Sequence, residues 1–288
     1  MRAVKGTFPT WSEAVALADL WTITLINGTV LRWTSADVPL TANGAAYSLG
    51  PIITRGSTRL TATLEVDTLD VTFETGGAQG GFTIQGIPFP HAATNGALDG
   101  ATVKLERAFM AQWGVVSATV HLFEGRVAGV EPTHTEVRLQ VKSLLEVLDA
   151  KWPRNLYQPT CNHQLYGQGC GVVRASYQVT GTATGGSATR IDWATNKPDG
   201  YYDQGVIAFT GGRNAGARRM VKTSPTTGLT VALPFTYPIQ AGDTFTVAPG
   251  CTKSNVRPAG EARPSCTEFN NTARFRGFPW VPPPETAR

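Results

Sequence analysis

Along most of the chain, apolar and polar residues alternate with a period of two, and Gly, Pro and Asn break the runs. That period places every second side chain on one face, as in a half-buried β-strand. The segments LWTITLI (20–26) and TVLRWT (29–34) flank Asn27-Gly28. This pair favours a two-residue type I′ turn, so a hairpin is predicted here. Over 60–73, Leu60, Ala62, Leu64 and Val66 share one face, and after Thr68 the pattern passes to Leu69, Val71 and Phe73. A one-residue slip of this kind signals a β-bulge. Strand patterns return at 101–109, 115–130 and 136–141, and again in YQVTGTATG, TRIDWAT, GVIAFTGG, RRMVKTS, TGLTVALPF and DTFTVAP within 176–248.

Two segments read as helical. WSEAVALADL (11–20) suggests a short helix, and Val141, Leu144, Leu145 and Leu148 follow the i, i+3, i+4, i+7 spacing of an amphipathic helix stopped by Trp152-Pro153. Residues 76–100 read as loop, and the final PWVPPP reads as an extended arm. No repeat of solenoid or propeller period is present.

The pattern therefore predicts a mainly β protein of two domains. The first, 1–153, is expected to be a β-barrel or sandwich. The second, 154–288, is expected to be a cysteine-rich metal-binding module with a small β domain inserted at about 176–248. With 288 residues the chain is long enough for two cores, and 31 Gly with 19 Pro supply the turns. Charged residues are only 16% of the chain, which suits a surface partly covered by neighbours. The net charge of +4 is mild. Arg213, Arg218, Arg219 and Lys222 form the densest basic group, too sparse to predict sequence-specific nucleic-acid binding. No apolar run reaches the length of a membrane span, and MRAVKGTFPTW lacks a signal-peptide core. Synthesis in the cytoplasm, where thiols stay reduced, is the expectation.

The chemistry concentrates in four cysteines. Cys161/Cys170 and Cys251/Cys266 lie in Gly/Pro-rich turn regions on either side of the second β segment. Four thiolates can hold a structural zinc or an iron–sulfur cluster. The spacing, C-x8-C and C-x14-C, matches neither a zinc-finger knuckle nor a ferredoxin run, so both metals stay open. Two disulfides or four unrelated thiols are the other readings. His163, two residues after Cys161, is a replacement ligand or a solvated loop histidine.

Catalytic constellations are poor, and a Cys/His pair using Cys161 or Cys170 lacks a helix-start context to activate the thiol. His91, His121, His134 and His163 sit in no hydrolase or zinc-protease motif. Glu65, Asp67 and Asp70 read as a solvated strand face, and TGGAQGG and FTGGRNAGARR lack the GK[ST] of a phosphate loop. Trp193, Tyr201 and Tyr202 are either an exposed carbohydrate platform or part of the small β core.

The C-x8-CG pair after YQPT, the GCTK turn and C-TEFNNTARFRGFPWVP together resemble the tail-tip hub proteins of long-tailed bacteriophages and gene transfer agents. The signature residues are Cys266, Phe269, Asn270 or Asn271, and Arg274 to Pro279. The resemblance covers nearly the whole chain, with the C-terminal signature as its specific part. It implies a tail-tube-like hub domain and a homotrimer at the tip of the virion tail, assembled in the bacterial host cytoplasm. The implied partners are the distal tail protein ring above and a central fibre or tip attachment protein below, with the tape-measure protein as a further neighbour. It implies a [4Fe–4S] cluster on Cys161, Cys170, Cys251 and Cys266, above structural zinc, and no catalytic residues. The fourteen residues between Cys251 and Cys266 are longer than the family pattern. A tail-associated cell-wall hydrolase and a host-carbohydrate-binding module are the alternatives.

Overall fold

The computed structural model describes residues 4–7, 15–57, 66–75, 81–149, 152, 153, 155 and 157–281. The chain divides into two compact units, Met1–Ala150 and Lys151–Arg288.

The first unit is built on one large sheet. Its strands are β1 (Val4–Gly6), β2 (Ala16–Thr24), β3 (Val30–Thr34), β4 (Leu40–Ala42), β5 (Ala45–Leu49), β6 (Ile52–Arg55) and β7 (Thr68–Glu74). After a two-stranded ribbon of β8 (Thr83–Ile84) and β9 (Ile87–Pro88) and a short helix α1 (Phe89–Thr94) come β10 (Thr102–Gln112), β11 (Val115–Pro132) and β12 (Glu136–Ser143). Among the described residues the spatial order is β4-β5-β3-β2-β10-β11-β12-β7-β6, with β1 paired to β11. Pairing is antiparallel except between β3 and β5.

Among the described residues the sheet does not close, which corrects the barrel expectation. Closure needs the two edge strands to pair with each other. Here β4 and β6 end the order, and the sheet instead buries parts of both faces. Trp21 and Ile23 of β2, with Val103 and Leu105 of β10, belong to a core that also takes in Phe73, Phe89 and Phe123. Ala18 and Leu20, with Ala108 and Met110, belong to a separate core on the opposite side of the same strands, completed by Leu40 and Tyr47. The β10–β11 register shifts between Leu105 and Glu106. Glu106 is buried there and ion-paired to Lys104 at 3.1 Å. Asp19 on β2 accepts hydrogen bonds from Arg55 Nε at 2.7 Å and Arg107 Nε at 2.9 Å, so one carboxylate ties three strands.

Several local expectations change. Residues 16–20 are strand, not helix, because β2 pairs with β10 along its whole length; 11–14 lie outside the described residues. The Asn27-Gly28 hairpin forms, but not through a type I′ pair. Gly28 N–H bonds Leu25 O, Leu25 N–H bonds Thr29 O, and only Gly28 of the turn has positive φ (+86°). This is a three-residue loop with glycine in the left-handed position. Of the 60–73 pattern, 60–65 lie outside the described residues, and Leu69, Val71 and Phe73 are buried on one face of β7. The segment 76–100, read as loop, contains the ribbon and α1. The amphipathic helix expected over 141–150 is replaced: β12 runs to Ser143, and Leu144–Asp149 form a 3-10 helix with none of its residues buried. Val141 is claimed by the sheet, which removes the first residue of the helical face.

In the second unit, β13 (Val179–Thr182), β14 (Gly185–Gly186), β15 (Arg190–Asp192), β16 (Val206–Phe209), β17 (Arg218–Thr223), β18 (Gly228–Val231) and β19 (Thr244–Ala248) form a second antiparallel sheet in the order β13-β19-β16-β17-β18-β15-β14. Its core holds Ile191, Tyr202, Ile207, Phe209, Val221, Leu229, Phe245 and Val247. Trp193 and Tyr201 pack against that core. The aromatic trio is therefore a packing feature, and the carbohydrate-platform reading is corrected. The first strand pairs with the last, Val179 opposite Val247. That pairing brings the loop before the sheet and the loop after it to the same place.

Candidate metal centre

The loops that meet beside Val179 and Val247 carry the four cysteines. All four line one cavity. Leu165, Val172, Phe269 and Phe275 form much of its wall, and His163, Lys253, Asn271 and Arg274 are its polar members. Cys266 is buried and the other three are partly exposed; none is in a disulfide.

Hydrogen bonds fasten the first cysteine loop to the second. Cys161 N–H bonds Lys253 O at 2.8 Å, and Lys253 N–H points at Cys251 Sγ at 3.3 Å. Lys253 holds a left-handed backbone (φ +59°) to do so, and its ammonium donates to His163 O. At the other corner Asn271 Nδ2 donates to Cys170 O at 2.8 Å and reaches Cys170 Sγ at 3.4 Å. Asn271 N–H bonds Cys266 O, and the Cys266 thiol donates to Asn271 O at 3.1 Å. Phe269 sits beneath, edge-on to Tyr177 and Tyr166, while the Tyr166 hydroxyl anchors to Pro249 O at 2.9 Å. Gly171 has φ +70°, and a Cβ there would overlap the Arg274 guanidinium, so this glycine lets Arg274 cross the cavity rim.

Burial pushes the Cys266 thiol up to about 11, helped by the neighbouring thiols of Cys161, Cys251 and Cys170. Burial likewise raises Cys251, opposed by the Lys253 N–H that bonds its sulfur. Four thiols that repel one another once ionised form a site for a cation, since a bound metal reverses that preference. The donor set is all-thiol and its walls are largely apolar, which suits soft metals and iron–sulfur clusters. Among the described residues no three His, Cys, Asp or Glu side chains converge closely enough to hold one metal ion. The four thiols are nevertheless gathered around one cavity.

His163, partly buried, lines this cavity. The Arg213–Lys222 basic group is partly used up in packing. The Arg213 guanidinium lies 3.9 Å from the Tyr237 ring centre, and Arg219 is buried, donating to Pro234 O. Asn271 and Arg274 stood out in the sequence only as signature residues, and Lys253 only as part of the GCTK turn; their hydrogen bonding to the cysteine loops is a tertiary property.

Known proteins resemble this chain in both sequence and fold. The family described as phage conserved hypothetical protein BR0599 matches residues 200–285, which include Cys251 and Cys266. A solved structure described as the virion of a native gene transfer agent particle aligns with 94% of this chain and 89% of its own, at a TM-score of 0.66 and 24% identity. At that identity the likeness is one of fold. No curated protein matches the chain. The family described as baseplate hub protein, N-terminal attachment domain, matches residues 10–173, more than half of the chain and including Cys161 and Cys170, so the chain belongs to the phage baseplate hub proteins, structural components of virion tails.

Proposed function

We propose that this hub protein sits at the tail tip as a homotrimeric ring, joining the distal tail ring to a central fibre or receptor-binding protein, and that Cys161, Cys170, Cys251 and Cys266 hold a [4Fe–4S] cluster. The role is structural. The observation that supports the cluster reading is the gathering of four thiols, from loops about ninety residues apart, around one cavity. When bound, the cluster supplies four metal–thiolate bonds that exist only in the folded state, so its binding free energy stabilises the fold. Cys161 and Cys170 hold it from the first loop, Cys251 and Cys266 from the second, and Phe269 and Leu165 help exclude water. The trimer and tip position rest on membership of the hub family, and a sparsely charged surface suits extensive contacts.

Protein purified without oxygen tests the cluster. It should be brown, with about four irons and four sulfides per chain. Stoichiometric zinc without iron would refute the cluster. Symmetry analysis of intact tails tests the rest: three copies at the tip are expected, and six copies or a place along the shaft would refute the ring. Clearing of peptidoglycan in a zymogram would favour the hydrolase reading instead.

A further inference from the structure

We infer that Asn271 is a positioning residue of the cysteine site, its side-chain amide clasping Cys170 to the Cys266 loop and directing a hydrogen bond at the Cys170 sulfur. The inference rests on the cluster reading for its effect on the loaded protein, but the clasp itself is a property of the metal-free fold.

Among the hydrogen bonds that join the two cysteine loops, two clasps reach a cysteine across the gap, and they differ in kind. The Lys253 clasp links Cys161 to Cys251 through backbone groups, so substituting its side chain leaves those bonds in place. The Asn271 clasp spans 101 residues and depends on one side chain. Its orientation is set by chemistry. Cys170 O can only accept, so the amide nitrogen, not the oxygen, must face it. The same nitrogen has two N–H groups, and the second is available to Cys170 Sγ at 3.4 Å. An N–H donor at a thiolate stabilises negative charge on sulfur, so it favours the more reduced cluster and raises its potential. Groups that orient metal ligands in this way are typically worth about 10–100-fold in metal affinity.

The test compares full-length wild type with Asn271→Leu, Asn271→Asp and Asn271→Gln, each made metal-free and then reconstituted without oxygen from ferrous iron and sulfide. Asn271→Leu should lose iron to a chelator about 10–100-fold more readily and show a more negative potential in an EPR-monitored titration. Asn271→Asp, equal in size but without the donor, should behave likewise, and Asn271→Gln should recover part of both effects. Equal retention and equal potential in wild type and Asn271→Leu would overturn the inference. The metal-free proteins decide the clasp independently. Amide exchange at 167–172 should speed up in Asn271→Leu and Asn271→Asp, and unchanged protection there would overturn it. A wild type that takes up no iron, while exchange still responds to the substitutions, would refute the cluster and leave the clasp standing.

Discussion

Replacing Phe269 with alanine should unfasten the cysteine site from below, and the structure sets the size of the effect. Phe269 is 4% exposed and lines the cavity floor. Its ring lies 4.8 Å from that of Tyr177 and 6.2 Å from that of Tyr166, edge-on to both. Tyr177 also donates to Phe269 O at 3.1 Å, a backbone bond the substitution leaves chemically intact. Removing a buried phenylalanine side chain costs about 3–5 kcal/mol. The two aromatic contacts account for about 1–3 kcal/mol of that, at about 0.5–1.5 each. Phe269→Leu keeps most of the apolar volume and loses the edge-on geometry, so its cost should be about 1–2 kcal/mol. Against a typical domain stability of about 5–15 kcal/mol, the alanine change is a large share. The assay is urea unfolding of the metal-free protein, followed by tyrosine and tryptophan fluorescence and by amide exchange over 157–178 and 249–281. A loss below about 1 kcal/mol for Phe269→Ala, or faster exchange in β10–β12 rather than in the cysteine loops, would refute the reasoning.

Cys170→Ser or Cys251→Ser should make the cysteine loops cleavable by trypsin at Arg174, Lys253, Arg274 and Arg276, while 179–248, which has its own core, stays protected; mapped fragments identical to wild type would mean the cysteines hold nothing together. Asp19→Asn removes a carboxylate bonded to Arg55 and Arg107 and should cost about 1.5–3 kcal/mol, read as a lower urea midpoint, because two partly buried guanidiniums lose a charged acceptor; an unchanged midpoint would count against this ion pair. In the metal-free protein, Cys266 keeps its proton up to about pH 11 in the folded state against 9.0 as the ordinary value, so the folded state binds more protons between these limits. Stability should therefore fall as pH rises from about 9 to about 11, and Cys266→Ala should flatten that part of the urea-midpoint profile; a profile the same for both would refute the burial argument.

The period-two patterns determined the mainly β class, and they located the strands at 102–112, 115–132 and 136–143 to within a few residues. Those positions are legible because alternation reports burial on one face, whatever the neighbouring strand turns out to be. The cysteine spacing made a four-thiol site readable for a related reason: a first strand and a last strand that pair with each other return the flanking loops to one place. Tertiary structure decided what local pattern leaves ambiguous. Ala16–Leu20 and Val141 satisfy helical spacing, but hydrogen bonds to β10 and to β7 take them into the sheet, and a ladder shared with neighbours outweighs a short helix with no partner for its apolar face. Whether the sheet closes is set by where its edges end, which no single strand encodes. The roles of Lys253 and Asn271 were likewise invisible along the chain, because each is bonded to a cysteine about ninety to one hundred residues away, Lys253 O to Cys161 N–H and the Asn271 amide to Cys170, and the pairing of Val179 with Val247 brings those loops within reach.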